Sequence, residues 1–353
     1  MKGNKKMEEI THKRLDFIDI AKGIGMIAII LGHLKNFQLN RVVYTFHVPL
    51  FFLISGYFIK TEKNTNTYIK NKVRTLIIPY ICTCAIIILI TLFQGLIGGN
   101  GLKLAANMIC ASIYGAGDTY KEPFFIPSIG ALWFLLATFW GCIFLKLSLN
   151  FNEYNRLLFI AGLFFIGEYT AKLFWIPFSI QAGACATLYM YLGYLVKQNQ
   201  NAIKSISKEM RIVFILIALA IWIEFMVNYN YFELVHCYFG RGVTDFFGSL
   251  CACLIIICIA KLIDQKTKIS RKFLTYLGRF SLIILCVHAT ELVVLPEERI
   301  SNCMYDIGMK GDMILLGMIV LKLTLNLSLA FLLSKIKIVR KVLGYKENIL
   351  ERK

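Results

Sequence analysis

The stretch 17-FIDIAKGIGMIAIILGHL-34 is apolar over nearly its whole length, yet it carries a lysine and a histidine eleven residues apart. A helix rises about 1.5 Å per residue, so this stretch is about as long as the hydrocarbon layer of a bilayer is thick. On that helix Lys22 and His33 lie about 16 Å apart, and eleven steps of about 100° bring His33 back to within about 20° of the azimuth of Lys22. Both side chains share one face. Polar groups are costly against lipid, so that face is expected to look into a bundle of helices.

The rest of the chain supplies the bundle. Its 353 residues are 58% hydrophobic and 17% charged, with a mean hydropathy of +0.65, more apolar surface than one soluble core can hide. Ten apolar runs have the ~17 to 25 residues that a spanning helix needs. They lie near 17–36, 42–60, 74–98, 129–149, 157–176, 178–196, 211–231, 242–263, 280–296 and 312–334. The expected fold is all-α: a polytopic transmembrane bundle of about ten helices in a single domain, 1–353. Segment 1–16 is charged and has no apolar core, so it does not read as a cleavable signal, and the first run is expected to stay in the membrane.

A formal charge of +18 would suit a nucleic-acid binder if the basic residues gathered on a folded surface. Instead they fall between the apolar runs. With the N-terminus inside, alternate loops and the tail 335–353 hold most of the 39 Lys and Arg, the asymmetry expected of cytoplasmic segments. Both termini are then cytoplasmic, the charge encodes topology, and no nucleic-acid partner is expected.

Of the 11 cysteines, Cys82, Cys84, Cys142, Cys185, Cys251, Cys253, Cys258 and Cys286 sit in apolar runs, where a thiol acts as a small hydrophobe. No Cys/His spacing suggests zinc, and no metal is expected. Cys237 and Cys303 fall outside the runs and could pair.

Each polar group inside the runs has a bland reading. Lys22 can snorkel or pair with Asp19, and His33 can cap its helix. Three other features gather in the same outer half: His47 at the start of the second run, Glu168 in the fifth, and His288 with Glu291 on one face of the ninth. Together they outline a polar chamber with candidate substrate contacts. At the inner side, 70-KNKVRTLIIPY-80 brings Lys70, Lys72 and Arg74 to the third run, either as ordinary interfacial anchors or as a grip for phosphates.

Five segments, in order, give the chain a family likeness. They are 19-DIAKGIGMIAIILGH-33, 46-FHVPLFFLISGYFI-59, 74-RTLIIPY-80, 132-LWFLLATFW-140 and 276-YLGRFSLIILCVH-288. The chain resembles the acyltransferase-3 family of integral-membrane O-acyltransferases, and within it the branch of fucose 4-O-acetylases and other surface-polysaccharide acetyltransferases. The resemblance implies transfer of an acyl group, usually acetyl, from cytoplasmic acyl-CoA to a hydroxyl of a glycan or polysaccharide acceptor. It also implies a multi-pass protein of the bacterial plasma membrane, with acetyl-CoA as donor substrate.

His33 matches the family's catalytic histidine and Lys22 its basic partner, although the family often has Arg there, with a bidentate fork that Lys lacks. Arg74 matches one arm of an Arg-x-x-Arg pattern whose other position is Asn71, so Arg74 with Lys70 or Lys72 is left to bind phosphate. A neutral His33 would take the proton of the acceptor hydroxyl as its oxygen attacks the thioester, with Glu291 or Glu168 orienting the ring. An acyl-histidine intermediate stays open beside direct transfer. The rival from another class is a transporter of a small polar solute, for which Lys322 and Asn326, one turn apart in the tenth run, would be the intramembrane polar pair.

Overall fold

The computed structural model describes residues 15–345; the expected anchors of 1–14 and the end of the tail lie outside the described residues. The first run forms α1 (Asp16–Gly32), whose first turn carries Asp16 and Asp19, the charge that a helix N-terminus favours. It ends at His33, where the chain leaves helical geometry and the His33 N–H returns to the helix carbonyls.

The second run divides. After α2 (Phe37–Val43), capped by Asn36, comes α3 (His47–Tyr57), only 11 residues long. Then α4 (Thr65–Lys72) passes through one π-helical stretch, Val73–Ile77, into α5 (Ile78–Ile97). Pro79 is tolerated there because it lies in the first turn of α5. A helix that the apolar runs did not anticipate follows, α6 (Gly101–Tyr114). The next three runs are α7 (Trp133–Ser148), α8 (Glu153–Ala171) and α9 (Ile180–Gln198), followed by short α10 (Gln200–Ser205) and long α11 (Lys208–Val227).

A small antiparallel hairpin, β1 (Phe232–Glu233) with β2 (Tyr238–Phe239), leads to α12 (Val243–Lys266). Amphipathic α13 (Lys268–Arg279) meets α14 (Ser281–Val294) at a 70° bend. The chain closes with α15 (Glu297–Asp306), α16 (Gly311–Lys335) and α17 (Lys337–Val342).

Each of the ten runs thus holds a helix, and the all-α class stands. By length and composition, however, five helical segments among the described residues can cross a membrane, or six if the bent pair α13 and α14 is one span. These lengths and compositions do not support the expected count of ten: α3, at 11 residues, is half the length of a spanning helix. The outside of the bundle is that of a multi-pass membrane protein. On α11 only Ala218, Trp222 and Phe225 are buried, while Ile212, Val213, Phe214 and Leu216 face outward, an apolar surface that water would not tolerate.

Helix α1 sits inside this bundle because its glycines let neighbours approach. Gly23 lies under the Leu274 carbonyl of α13, and Gly278 of α13 lies under the Asp19 carbonyl of α1. A Cβ at either place would enter the opposing backbone. The other face of α1 buries Met26, Ile29 and Ile30 against Phe51, Leu135 and Ile284 in one continuous core. Cys237 and Cys303 do not pair: both are free, Cys303 is exposed, and Cys237 is buried in the same apolar cluster as Cys185.

Candidate active site

Two cavities flank α3. His47, its first residue, lines a cavity of about 820 Å³, and Phe58, just past its end, lines another of about 720 Å³. Eleven helical residues rise about 16 Å, so the shortness of α3 brings the two cavities to within about half a bilayer thickness of each other. Phe51 and Phe52 of α3 fill the septum with Phe134 of α7, whose ring stacks on Phe52 at 5.1 Å between centroids.

His33 and His47 both line the larger cavity. His33 is carried to it by the end of α1, where Gly32 allows the Tyr44 ring to press close; a Cβ on Gly32 would come within 2.8 Å of that ring. Tyr44 donates its hydroxyl to the Gly32 carbonyl at 3.1 Å and lies against His47, ring centroids 4.9 Å apart. His33 Nδ1 is 2.9 Å from the Ile29 carbonyl, and His47 Nδ1 is 2.7 Å from that of Val43. A carbonyl can only accept, so each Nδ1 carries the proton, and each neutral ring keeps a bare Nε2. With Nδ1 committed, Nε2 is the nitrogen that His33 has left for the cavity.

Behind His33 stands the pair expected from the ninth run. His288 Nε2 is 3.2 Å from His33 Nδ1, and His288 Nδ1 is 2.9 Å from Glu291 Oε2. Both are buried behind the cavity wall rather than lining it. Lys322 and Asn326 of α16 join them: Lys322 Nζ is 3.2 Å from Glu291 Oε1 and also pairs with Glu297, while Asn326 Nδ2 donates to Glu291 Oε2 at 3.2 Å. Neither was expected beside His33; the sequence showed them only as a polar pair one turn apart in an apolar run, and both prove fully buried.

The loops before α7 and α12 border this cavity. His236 Nε2 lies 3.2 Å from Asp118 and 3.6 Å from Glu233, and Tyr120 Oη lies 3.0 Å from His236 Nδ1. The hydrogen bond from His236 holds the Asp118 carboxyl below its ordinary pKa, whereas burial raises that of Glu233. Asp118 and Glu233 both line the cavity, together with the aromatic rings of Phe37 and Tyr231.

The smaller cavity is basic. Lys72 and Arg74 line it, with Lys60, Lys63 and Asn71 on the same side. Arg74 lies in the π-helical stretch, a distortion that re-aims side chains and recurs at functional sites. The opposite wall is α17 and its exit, with Lys337, Arg340 and Lys341, residues that the sequence offered only as topological anchors. Among the described residues no acidic side chain lines it. Arg340 is braced by donating to the Ser334 and Lys335 carbonyls at 2.7 and 2.9 Å.

Three expected site residues lie elsewhere. Lys70 is exposed and outside the basic cavity. Glu168 pairs with Lys172 on the outside of α8. Lys22 lines neither cavity; it lies 3.8 Å from Asp19, within the group of charges that Asp16, Arg271 and Arg279 form at the start of α1.

Fold and cavities define a multi-pass, all-α membrane protein with a histidine-lined chamber and a basic chamber on opposite sides of a thin aromatic septum. The sequence model of the acyltransferase-3 family, described as an acyltransferase domain, matches residues 15–301, most of the chain, and the chain belongs to that family. It is also similar to the nodulation protein NolL of Sinorhizobium fredii (strain NBRC 101917 / NGR234), 28% identical over 160 residues. That alignment covers 41% of this chain and 39% of NolL, so the similarity extends over well under half of either protein. No solved structure matches the chain.

Proposed function

We propose that this chain is a membrane O-acyltransferase that moves an acyl group, acetyl in the first instance, from acyl-CoA to a hydroxyl of a cell-surface glycan or polysaccharide precursor. The observation that carries this reading is the pairing of the two chambers across α3. A cavity lined by Lys72, Arg74, Lys337, Arg340 and Lys341, with no carboxylate among the described residues, suits the phosphates of a CoA nucleotide. A cavity lined by two histidines, with carboxylates and aromatic rings near its mouth, suits a polyhydroxylated acceptor. The acyl thioester would reach His33 through the septum.

The chemistry assigned to His33 is general-base catalysis. The acceptor oxygen bonds to the thioester carbon as its proton passes to His33 Nε2. The C–S bond then breaks, and the imidazolium returns the proton to the leaving thiolate, so the products are an O-acyl ester and free CoA. A positioned base of this kind contributes about 10²- to 10⁴-fold. His47, with its own Nε2 bare, is assigned to hold the acceptor. Lys22 is assigned to anchor the start of α1 through Asp19, acting on donor use through the placement of that helix.

The transport reading rested on Lys322, and that ammonium is fully buried between Glu291 and Glu297. Its pairing supports a structural part rather than a place on a solute path.

The test is transfer or hydrolysis of radiolabelled acetyl-CoA by the purified full-length protein in liposomes, parent against His33→Ala. Label leaving CoA with the parent and not with the variant, at equal insertion, is the expected result. Correctly inserted parent protein that neither binds nor turns over acetyl-CoA or other acyl-CoAs would overturn it.

A further inference from the structure

The general-base assignment needs His33 to hold one tautomer, and the groups behind the ring are arranged to fix it. We propose that His288 and Glu291 are positioning residues that lock the His33 proton on Nδ1, with Lys322 and Asn326 fixing the polarity of the whole relay. The inference rests on the acyltransferase reading of His33 and extends it inward from the cavity.

The direction of every bond follows from the far end. Glu291 is ion-paired with the Lys322 ammonium, 3.2 Å from Oε1, and accepts the Asn326 amide on Oε2, so it is an ionised acceptor. His288 Nδ1, 2.9 Å from the same Oε2, must therefore donate. A neutral His288 then offers only a lone pair at Nε2, so His33 Nδ1, 3.2 Å away, must in turn donate. The same Nδ1–H is shared with the Ile29 carbonyl at 2.9 Å.

The two imidazole rings meet edge to face, 4.9 Å between centroids and 72° between planes, which fixes orientation as well as tautomer. Reversing any one bond sets two donors or two lone pairs face to face, at a place where His288 and Glu291 are buried. When His33 takes the substrate proton on Nε2, its Nδ1–H still meets two acceptors. The proton moves only from oxygen to Nε2 to sulfur, and the relay itself transfers none.

Glu291→Gln tests this. A glutamine has one acceptor oxygen where the carboxylate has two, and the Lys322 ammonium claims it. The amide NH₂ is then turned toward His288, which must accept at Nδ1, protonate at Nε2 and face His33 with a donor. The expected result in liposomes is a fall in kcat of about 10²-fold or more, with the KM for acetyl-CoA held within about twofold, and partial recovery in Glu291→Asp. His288→Gln, which keeps an acceptor near His33, should retain more activity than His288→Leu.

The independent readout is ¹⁵N NMR of histidine-labelled protein in detergent, with signals assigned through the single-histidine variants. The parent should show His33 protonated at Nδ1 and bare at Nε2, and Glu291→Gln should show that pattern lost. A parent His33 bare at Nδ1, or a Glu291→Gln enzyme with parental kcat, would overturn the proposal. If His33→Ala is dead while Glu291→Gln is fully active, the relay alone fails; if His33→Ala keeps parental turnover, the base assignment fails and the relay with it.

Discussion

The hydroxyl of Tyr44 donates to the carbonyl of Gly32, the residue immediately before His33, so the ring that borders His47 also fixes where α1 ends. Losing one such bond costs about 1 kcal/mol, and its effect is concentrated on the placement of His33. Tyr44→Phe is expected to insert normally and to lower acetyl transfer about fivefold. Gly32→Ala, whose Cβ would press on the Tyr44 ring, should lower it further. Steady-state turnover of both variants in liposomes measures the difference.

The basic chamber divides its two walls between distant parts of the chain. Arg74→Ala and Arg340→Ala are each expected to raise the KM for acetyl-CoA about tenfold or more, the size of a lost charge-assisted bond. Lys70→Ala should leave it unchanged, because Lys70 lies outside the cavity. Titration with acetyl-CoA, and with CoA as competitor, distinguishes these outcomes from a uniform effect of surface charge.

Close packing of α1 against α13 predicts a stability effect without a direct chemical one. Gly278→Ala places a methyl group into the Asp19 carbonyl, and overpacking of this kind costs about 1 to 3 kcal/mol. Gly162→Ala, where no atom lies within 4 Å, is the control. Thermal aggregation of the solubilised protein should begin at a lower temperature for Gly278→Ala alone.

The loop latch at the cavity mouth has a pH dependence whose sign can be worked out. Asp118, held below its ordinary 3.8 by His236, contributes stability that is present above that value and lost as pH falls through the lowered one. Glu233, raised above 4.5 by burial, has the opposite sign: its charge is a cost near neutral pH that protonation relieves. Protease nicking in 115–129 and 230–242 should therefore stay low or fall slightly from pH 7 to about 5, and rise only below about 3.8. In Asp118→Asn the rise below 3.8 should disappear.

Much of this molecule was legible before its structure. The period of the Lys22 to His33 run gave α1 and its inward face, and the spacing of His288 and Glu291 gave two residues that stand behind His33 on one helix face. Lys322 and Asn326 were visible as a buried polar pair, but one turn of a helix does not say which helix it faces. Apolar length misled at α3, because a run of apolar residues looks the same whether a helix fills it or only half of it. It also passed over α6, whose sequence is interrupted by Lys103 and Asn107. Charge was ambiguous at both ends: Lys22 and Lys70 carry the same basic signal as Arg340 and Lys341, and only packing separates those that line a chamber from those that do not.

The short α3 has an electrical consequence. Where two polar chambers approach to about 16 Å, most of the membrane potential drops across the septum between them rather than across a full bilayer. Each elementary charge crossing it bears about 2.3 kcal/mol per 100 mV. The stacked rings of Phe52 and Phe134, with Phe51 beside them, form a low-dielectric plug at that place. On the acyltransferase reading proposed above, an uncharged acyl thioester crossing that wall would feel almost none of that field, whereas a proton or metal ion would feel all of it.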